Sequence, residues 1–334
     1  MRWDRGSFDD DDESAITPAL IRIAVVAGLG GLLFGFDTGV VSGALLVIGT
    51  DLSDSEGPER QPLTTGQESW LVSSALVGAF VGSIVAAKSA DRFGRRPVIL
   101  AAAILFTLGA LEQAAAQVYK EVILGRILVG VGVGLSSAIL PPYLAEVSPA
   151  KFRGRIVASL VALITGGQVL AYVVDAIFYP VAHGWRYMFG IGAVPALLQL
   201  ILAISSLPES PRYQLSRGRT AAARSTLKMI YPRLSGDAIQ SKIDIMRAEA
   251  ANTEEEGLLG LGQVGSLREV KEGLLTKIWR DDANRRAVIL ACGLQFFQQA
   301  TGFNCLMYFS GRILESAHFG NPAAFAIVVA VSNL

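Results

Sequence analysis

Long runs of apolar residues, separated by shorter polar stretches, dominate the chain. Six runs cover residues 20–48, 70–87, 98–116, 122–140, 156–177 and 188–207, a seventh covers 287–309, and an eighth extends from 323 to 334. A helix needs about 20 apolar residues to cross the hydrocarbon core of a bilayer. The pattern therefore predicts an all-α, multi-pass membrane protein with about seven and a half spans.

The polar stretches divide the chain into four parts. We expect a disordered cytoplasmic tail at 1–19, a six-helix bundle at 20–207, a cytoplasmic loop at 208–284 and the start of a second bundle at 285–334. Within the loop, Ile239, Ile243 and Met246 recur at helical spacing, and Ser266 and Glu269 have the spacing of a capping box. These patterns predict short amphipathic helices, which would cover the cytoplasmic surface or bind a regulatory partner.

The charges in the short loops indicate the orientation. The loop after the second run contains Lys88, Arg92, Arg95 and Arg96, and the loop after the fourth contains Lys151, Arg153 and Arg155. The loop after the first run is mostly acidic. Because short basic loops stay in the cytoplasm, the N-terminus is predicted to be cytoplasmic. We expect a location in the plasma membrane.

The composition argues against several classes of protein. Charged residues make up 17% of the chain, against about 25% in soluble domains. The formal net charge is zero, so no nucleic-acid partner is indicated. The two histidines, His183 and His318, lie in predicted loops, and no nucleophile–base arrangement or metal-ligand spacing is present. We therefore expect no enzyme, no cofactor and no metal.

Two ionisable residues lie inside apolar runs. Asp37 is in the first run and Arg126 in the fourth, and both are expected in the outer part of the membrane. Ionisable residues inside spans mark functional sites by default. Arg126, Gly130 and Gly134 share one helical face, whose glycines predict close packing on another helix. The pair would couple transport to protons if protonation of Asp37 releases Arg126; alternatively, it is a permanent ion pair that fixes helix packing.

Amide side chains form a second candidate constellation. Gln168 lies in the fifth run, Gln298, Gln299 and Asn304 lie in the seventh, and Asn333 lies in the eighth. Amides both donate and accept without charge, so they suit the hydroxyls of a polyol or hexose; they also suit a neighbouring helix. Gln298 and Asn304 would not share a face of a continuous helix. A break at Gly302 would change that.

Five motifs resemble the sugar porter family of the major facilitator superfamily. They are residues 31–44 (GLLFGFDTGVVSGA), 91–96 (DRFGRR), 141–155 (PPYLAEVSPAKFRGR), 208–213 (PESPRY) and 298–308 (QQATGFNCLMY). Within that family, residues 47–52, 62–65 and 292–299 look most like fungal myo-inositol/proton symporters.

The resemblance implies a major facilitator fold of two six-span halves, echoed by Gly35-Phe36-Asp37 and Gly302-Phe303-Asn304, with the second half truncated. It implies proton symport of myo-inositol or a related sugar by alternating access, impaired by the truncation. A passive hexose facilitator and a non-transporting sugar sensor remain alternatives.

Further site residues are also implied by the resemblance. Tyr308 would close the outer gate, or it is a tyrosine of the membrane interface. Charged residues of the loop motifs would form a cytoplasmic latch, or they only set topology: Asp91, Arg95, Arg96, Glu146, Arg153, Arg155, Glu209 and Arg212.

Overall fold

The computed structural model describes residues 17–49, 51–52, 63–248, 279, 282–318 and 322–333. Throughout these ranges the secondary structure is helical, with no strand, which confirms the all-α prediction. The predicted tail up to residue 16, residues 249–278 with the capping box at Ser266, and Leu334 lie outside the described residues.

Six membrane-length helical segments make up the first part of the chain. They are α1 (Pro18–Ile48), α2 (Thr65–Phe93), α3 (Arg95–Ala115), α4 (Tyr119–Val147), α5 (Arg153–Phe178), and the pair α6 (Gly184–Ile191) and α7 (Ala193–Ser206). The sixth segment is interrupted at Gly192. All six are long and apolar enough to cross a membrane, as the sequence predicts.

Six further helices complete the described part of the chain. After the bundle come α8 (Pro211–Ser216), α9 (Thr220–Ile230) and α10 (236–248), and then α11 (Asp282–Ala300), α12 (Phe303–Ser316) and α13 (Pro322–Asn333). Ile239 and Ile243 are both buried, as the amphipathic pattern predicts for α10.

The predicted seventh span is not one helix. The chain breaks between α11 and α12 at Thr301 and Gly302, where Gly302 has a φ of +70°. A glycine adopts this left-handed conformation without the steric cost that a Cβ imposes. For this reason the region is not among the membrane-length helices found within the described residues.

Local signals explain several helix ends. Thr17 caps α1 by accepting a hydrogen bond from the backbone N–H of Leu20, and Pro18 opens the helix. Thr64 and Gln67 form a capping box at the start of α2. Gly94, with a φ of +103°, makes the tight turn between α2 and α3.

The described chain divides into two compact units, Met1–Ile239 with Met307–Leu334, and Gln240–Leu306. In the first unit, glycines bring helix backbones together. A Cβ on Gly130 would collide with the backbone of Ala75, and one on Gly134 with the backbone of Ala79, so α4 packs closely on α2. The glycine face predicted for α4 is therefore a close helix contact.

The same principle joins α1 and α5. A Cβ on Gly35 would collide with the backbone of Ile164, and one on Gly167 with the backbone of Leu32. Large apolar side chains on the outside of the helices, such as Phe80, Val161 and Val194, are more than 60% exposed. This exposure fits contact with lipid chains, since soluble proteins rarely present such apolar faces.

Candidate functional site

Asp37 and Arg126 form an ion pair inside the first unit. Nη1 of Arg126 donates to Oδ1 of Asp37, and Nε donates to the carbonyl of Leu71 at 3.4 Å. Arg126 is completely buried, and the side chain of Asp37 is 12% exposed. The guanidinium therefore depends on its protein partners rather than on water.

A small cavity lies beside this ion pair. It has a volume of about 20 Å³ and is lined by Asp37, Phe36, Phe106 and Phe189, among others. A cavity of this size accommodates one water molecule. Nη2 of Arg126 has no hydrogen-bond partner in the described structure. The pair is thus buried but has room for a water molecule next to the carboxylate.

Backbone packing fixes the position of Arg126. Gly130 lies one helical turn after Arg126 and contacts the backbone of Ala75 on α2. This contact leaves no room for a side chain, so the backbones of α4 and α2 lie directly against each other there. The guanidinium is consequently held where it reaches Leu71 on α2 and Asp37 on α1.

The predicted amide residues are joined in pairs. In the first unit, Nδ2 of Asn333 donates to Oε1 of Gln168 at 3.0 Å. In the second unit, Nδ2 of Asn304 donates to Oε1 of Gln299 at 2.8 Å. The Gln298 side chain is exposed, while its backbone carbonyl accepts from the hydroxyl of Thr301 at 2.6 Å.

The two glycine-phenylalanine triplets serve different purposes. Gly35 lies within the continuous helix α1 and permits close packing on α5. Gly302 lies at the break before α12, where the positive φ brings Asn304 within reach of Gln299. The sequence similarity between the triplets therefore does not extend to their backbone conformation.

Tyr308 is buried, with 9% of its surface exposed, and belongs to a cluster that includes Phe36 and Val40 of α1. It does not lie at an exposed surface, as an interfacial tyrosine would. Residues of α12 close to Tyr308 form hydrogen bonds with α1 and α5. The Ser310 and Ser42 hydroxyls lie 2.8 Å apart, and the hydroxyl of Tyr172 donates to the carbonyl of Met307 at 2.7 Å.

The start of α2 adds an ion pair to this contact. Arg312 of α12 binds Glu68 and also Glu315, the latter at 2.8 Å. The sequence reasoning missed these residues, because arginines and serines near a predicted span end look like ordinary surface residues. We call this end of the bundle the Glu68 end and the opposite one the Glu146 end.

Glu146 stands at the centre of the second polar cluster. Its Oε1 lies 3.1 Å from Nη2 of Arg95, and its Oε2 accepts from the hydroxyl of Ser210. Glu209 accepts from the backbone N–H groups of Arg95 at 2.9 Å and Arg96 at 3.2 Å. A carboxylate in this position satisfies free N–H groups at the start of α3 and complements the helix dipole.

Several residues of the predicted latch are arranged differently. Within the described ranges, the Asp91 carboxylate, Arg153 and Arg155 are exposed and form no ion pair. Arg96 donates instead to the carbonyl of Ile204 at 2.7 Å, and Arg212 lies on α8.

Unpredicted residues complete the cluster at the Glu146 end. Arg217 donates to the carbonyls of Asp91 and Arg92 at 2.8 and 2.9 Å. Tyr213 lies beneath the guanidinium groups of both Arg95 and Arg217. The PESPRY motif pointed to this region, but no local pattern indicates which arginine lies over the ring.

Almost the whole chain is similar in sequence to known transporters. The family model described as "Sugar (and other) transporter" matches residues 23–334. "Myo-inositol transporter 1" of Candida albicans is 36% identical over 330 residues, which cover 97% of this chain and 55% of that protein. The "Proton myo-inositol cotransporter" of Homo sapiens is 39% identical over 313 residues, covering 93% and 44%.

Solved structures show the same fold. The xylose transporter XylE from E. coli, in a partially occluded inward-open conformation, matches with a TM-score of 0.72 and 28% identity over 93% of this chain and 70% of that chain. A proton:xylose symporter structure with bound 6-bromo-6-deoxy-D-glucose gives a TM-score of 0.74, with 28% identity, 93% coverage of this chain and 66% of that one. The chain spans about half the length of the curated relatives it matches.

Proposed function

Because this chain belongs to the sugar porter family of the major facilitator superfamily, we propose that it carries myo-inositol or a related polyol or monosaccharide across the plasma membrane together with protons. The family membership supports a multi-pass transporter rather than an enzyme. Relatives named as myo-inositol transporters, one of them a proton cotransporter, support the substrate and the coupling ion.

The ion pair of Asp37 and Arg126 carries the proposal of proton coupling. When Asp37 is ionised, it binds Arg126 of α4 and ties α1 to α4. When a proton bonds to the carboxylate, the charge attraction is lost and the two helices are free to separate. The adjacent cavity has room for one water molecule, which would pass the proton to Asp37.

The amide pairs support binding of a hydroxylated substrate. The bonds between Asn333 and Gln168, and between Asn304 and Gln299, satisfy these side chains in the structure described. A hydroxyl group can replace either partner, because it both donates and accepts. Within the second unit, Gln298 has an exposed amide near the break. Within the first unit, Tyr308 of α12 is the residue that would form the outer gate.

Contacts at the two ends of the bundle support alternating access. The basic loops support a cytoplasmic location of the Glu146 end and of the N-terminus. Glu146, with Arg95 and Ser210, would then hold the inner side, while Arg312 and Glu68 would hold the outer side. A transporter needs each set of contacts to break in turn, so neither set can be permanent.

Uptake by reconstituted protein tests the proposal. Because the chain spans 55% of the Candida relative, two forms are compared: the 334-residue chain, and an extended chain in which Leu334 is followed by the remaining C-terminal part of that relative. Liposomes with an inward proton gradient should accumulate labelled myo-inositol through the extended chain, and collapse of the gradient should abolish accumulation. Equal uptake with and without the gradient would reject proton coupling, and lack of both uptake and binding would reject the substrate class.

A further inference from the structure

A second acidic side chain lies inside a membrane-length helix. Asp175 is on α5, three residues before its last residue Phe178, and it is 0% exposed. Its Oδ2 accepts a hydrogen bond of 3.1 Å from the backbone N–H of Gly43 on α1. Its Oδ1 has no hydrogen-bond partner in the described structure. The carboxyl group is therefore buried at a helix contact with one oxygen unused.

The described helices place no counter-charge opposite this carboxyl group. Among the described residues, Asp175 forms no ion pair, and the titratable side chain next to it is the phenol of Tyr172. The charged groups on the helices around α5 bind elsewhere or lie at exposed positions: Asp37 with Arg126, Glu146 with Arg95, Glu121 with the backbone N–H of Gln117, Arg186 with the carbonyl of Ala114, Arg312 with Glu68 and Glu315, and Lys120, Arg22, Arg153 and Arg155, which are exposed. Helix α13, which also packs on α5, contains no ionisable residue.

Asp175 differs from Asp37 in the partners of its carboxyl group. Asp37 has a guanidinium to balance its charge, whereas Asp175 has one shared backbone N–H. Burial of a carboxylate without a counter-charge is very unfavourable, and such a group remains neutral by holding a proton. In the neutral form one oxygen carries hydrogen and the other accepts from Gly43, so the bond seen at Oδ2 is compatible with protonation of Oδ1.

The packing makes this carboxyl group part of the contact between α1 and α5. A Cβ on Gly43 would collide with the side chain of Asp175, so only glycine leaves room for it. Tyr172, almost one turn earlier on α5, binds Met307 and Ser310 of α12. One short segment of α5 thus connects α1 with α12 near the Glu68 end.

We propose that Asp175 is a second proton-binding site, separate from Asp37, that holds a proton while α1 and α5 are packed at Gly43 and releases it when that contact opens. The proton comes from water at the Glu68 end and bonds to Oδ1, which removes the negative charge. On opening, water reaches the carboxyl group and the same O–H bond breaks. The release step rests on the proposed transport function. Protonation of Asp175 in the closed state does not depend on that function.

Infrared spectroscopy of the 334-residue chain tests the protonation directly. A difference spectrum of wild type minus Asp175→Asn at neutral pH should contain the C=O stretching band of a protonated carboxyl group. Asparagine keeps the size of the side chain and an oxygen for Gly43, so the fold should be retained. If instead the difference shows only carboxylate bands, Asp175 is ionised and the proposal is wrong.

Two further variants test whether the infrared band belongs to Asp175. Asp175→Glu should keep a protonated-carboxyl band at a shifted frequency, and loss of that band would contradict a neutral acid at this position. Asp37→Asn should leave the Asp175 band in place, because the two groups have different partners; its disappearance would show that the band does not belong to Asp175.

The number of protons moved tests the release step. In the extended chain, Asp175→Asn should lower the number of protons transported per substrate, measured from the reversal potential at several pH gradients. An unchanged ratio overturns release by Asp175. Failure of the proposed function itself gives a different result: no gradient dependence in the wild type, with the infrared band still present.

Discussion

The side-chain nitrogen of Asn333 lies 3.0 Å from the side-chain oxygen of Gln168, and this bond ties α13 to α5. Gln168 is 6% exposed, so its oxygen depends on the partner that Asn333 provides. A sugar hydroxyl that entered between the two amides would replace one donor with another. Substrate binding and the approach of α13 to α5 would therefore compete for the same groups.

We expect Gln168→Ala to weaken substrate binding by the extended chain. Loss of one hydrogen bond costs about 0.5–1.5 kcal/mol, which corresponds to an increase in KM of about 2- to 13-fold with little change in kcat. Initial rates of labelled myo-inositol uptake measure both constants. Gln117→Ala, which changes an exposed amide outside the bundle, is the control. If both variants match wild type, Gln168 has no role in binding.

Replacement of Asp37 should uncouple transport from protons. In Asp37→Asn the side chain can no longer lose or gain a proton, so exchange of labelled for unlabelled substrate should continue while accumulation against a gradient is lost. The part of the dependence of exchange on external pH that comes from Asp37 should also disappear. Asp51→Asn is a suitable control, because Asp51 binds His183 and Trp185 rather than an arginine. Undiminished uphill uptake by Asp37→Asn would reject the coupling role.

Charge reversal at Glu146 should disrupt the cluster at the Glu146 end. Glu146→Arg loses the partners Arg95 and Ser210 and places two guanidinium groups together. Loss of a hydrogen bond to a charged group costs about 1.5–3 kcal/mol, so we expect transport to fall by about 10- to 150-fold while membrane insertion is retained. Arg155→Ala, at an exposed position that forms no ion pair with any described residue, should transport normally. Normal transport by Glu146→Arg would refute a latch.

A methyl group at Gly130 should destabilise the bundle. Its Cβ would collide with the backbone of Ala75, which cannot rotate away as a side chain can. Overpacking of this kind costs about 1–3 kcal/mol. Thermal unfolding of the purified 334-residue chain should show a lower Tm for Gly130→Ala than for Gly154→Ala, where no atom lies within 4 Å. Equal Tm values would mean that α2 and α4 adjust freely.

Two kinds of feature could be predicted from the sequence: those marked by a regular spacing of residues, and those marked by the free-energy cost of placing a charged residue inside an apolar run. The apolar runs predicted six spans, and the spacing of Arg126, Gly130 and Gly134 predicted a packed face pointing into the bundle. The rule that singled out Asp37 also applies to Asp175, which lies in the fifth apolar run and was overlooked.

Contacts between distant segments could not be predicted in this way. The position of Glu209 at the start of α3 depends on how the chain returns after α7, which no local pattern specifies. The same holds for Arg312 and Glu68, which are far apart in sequence and meet only when α12 packs beside α2. Glycine at position 302 did indicate a possible break, because its freedom at positive φ is a local property.

The glycine contacts of α1 with α5 and of α2 with α4 limit which motions are available. Helices whose backbones touch cannot slide along each other by a fraction of a turn, because each glycine fits only one opposing position. Each pair should therefore move as one rigid unit around these glycines, whereas at Gly43 the opposing atoms belong to the side chain of Asp175 and can move aside. Any rearrangement within the first unit then falls on interfaces built from longer, adaptable side chains, where rotamer changes can absorb a displacement that closely packed backbones cannot.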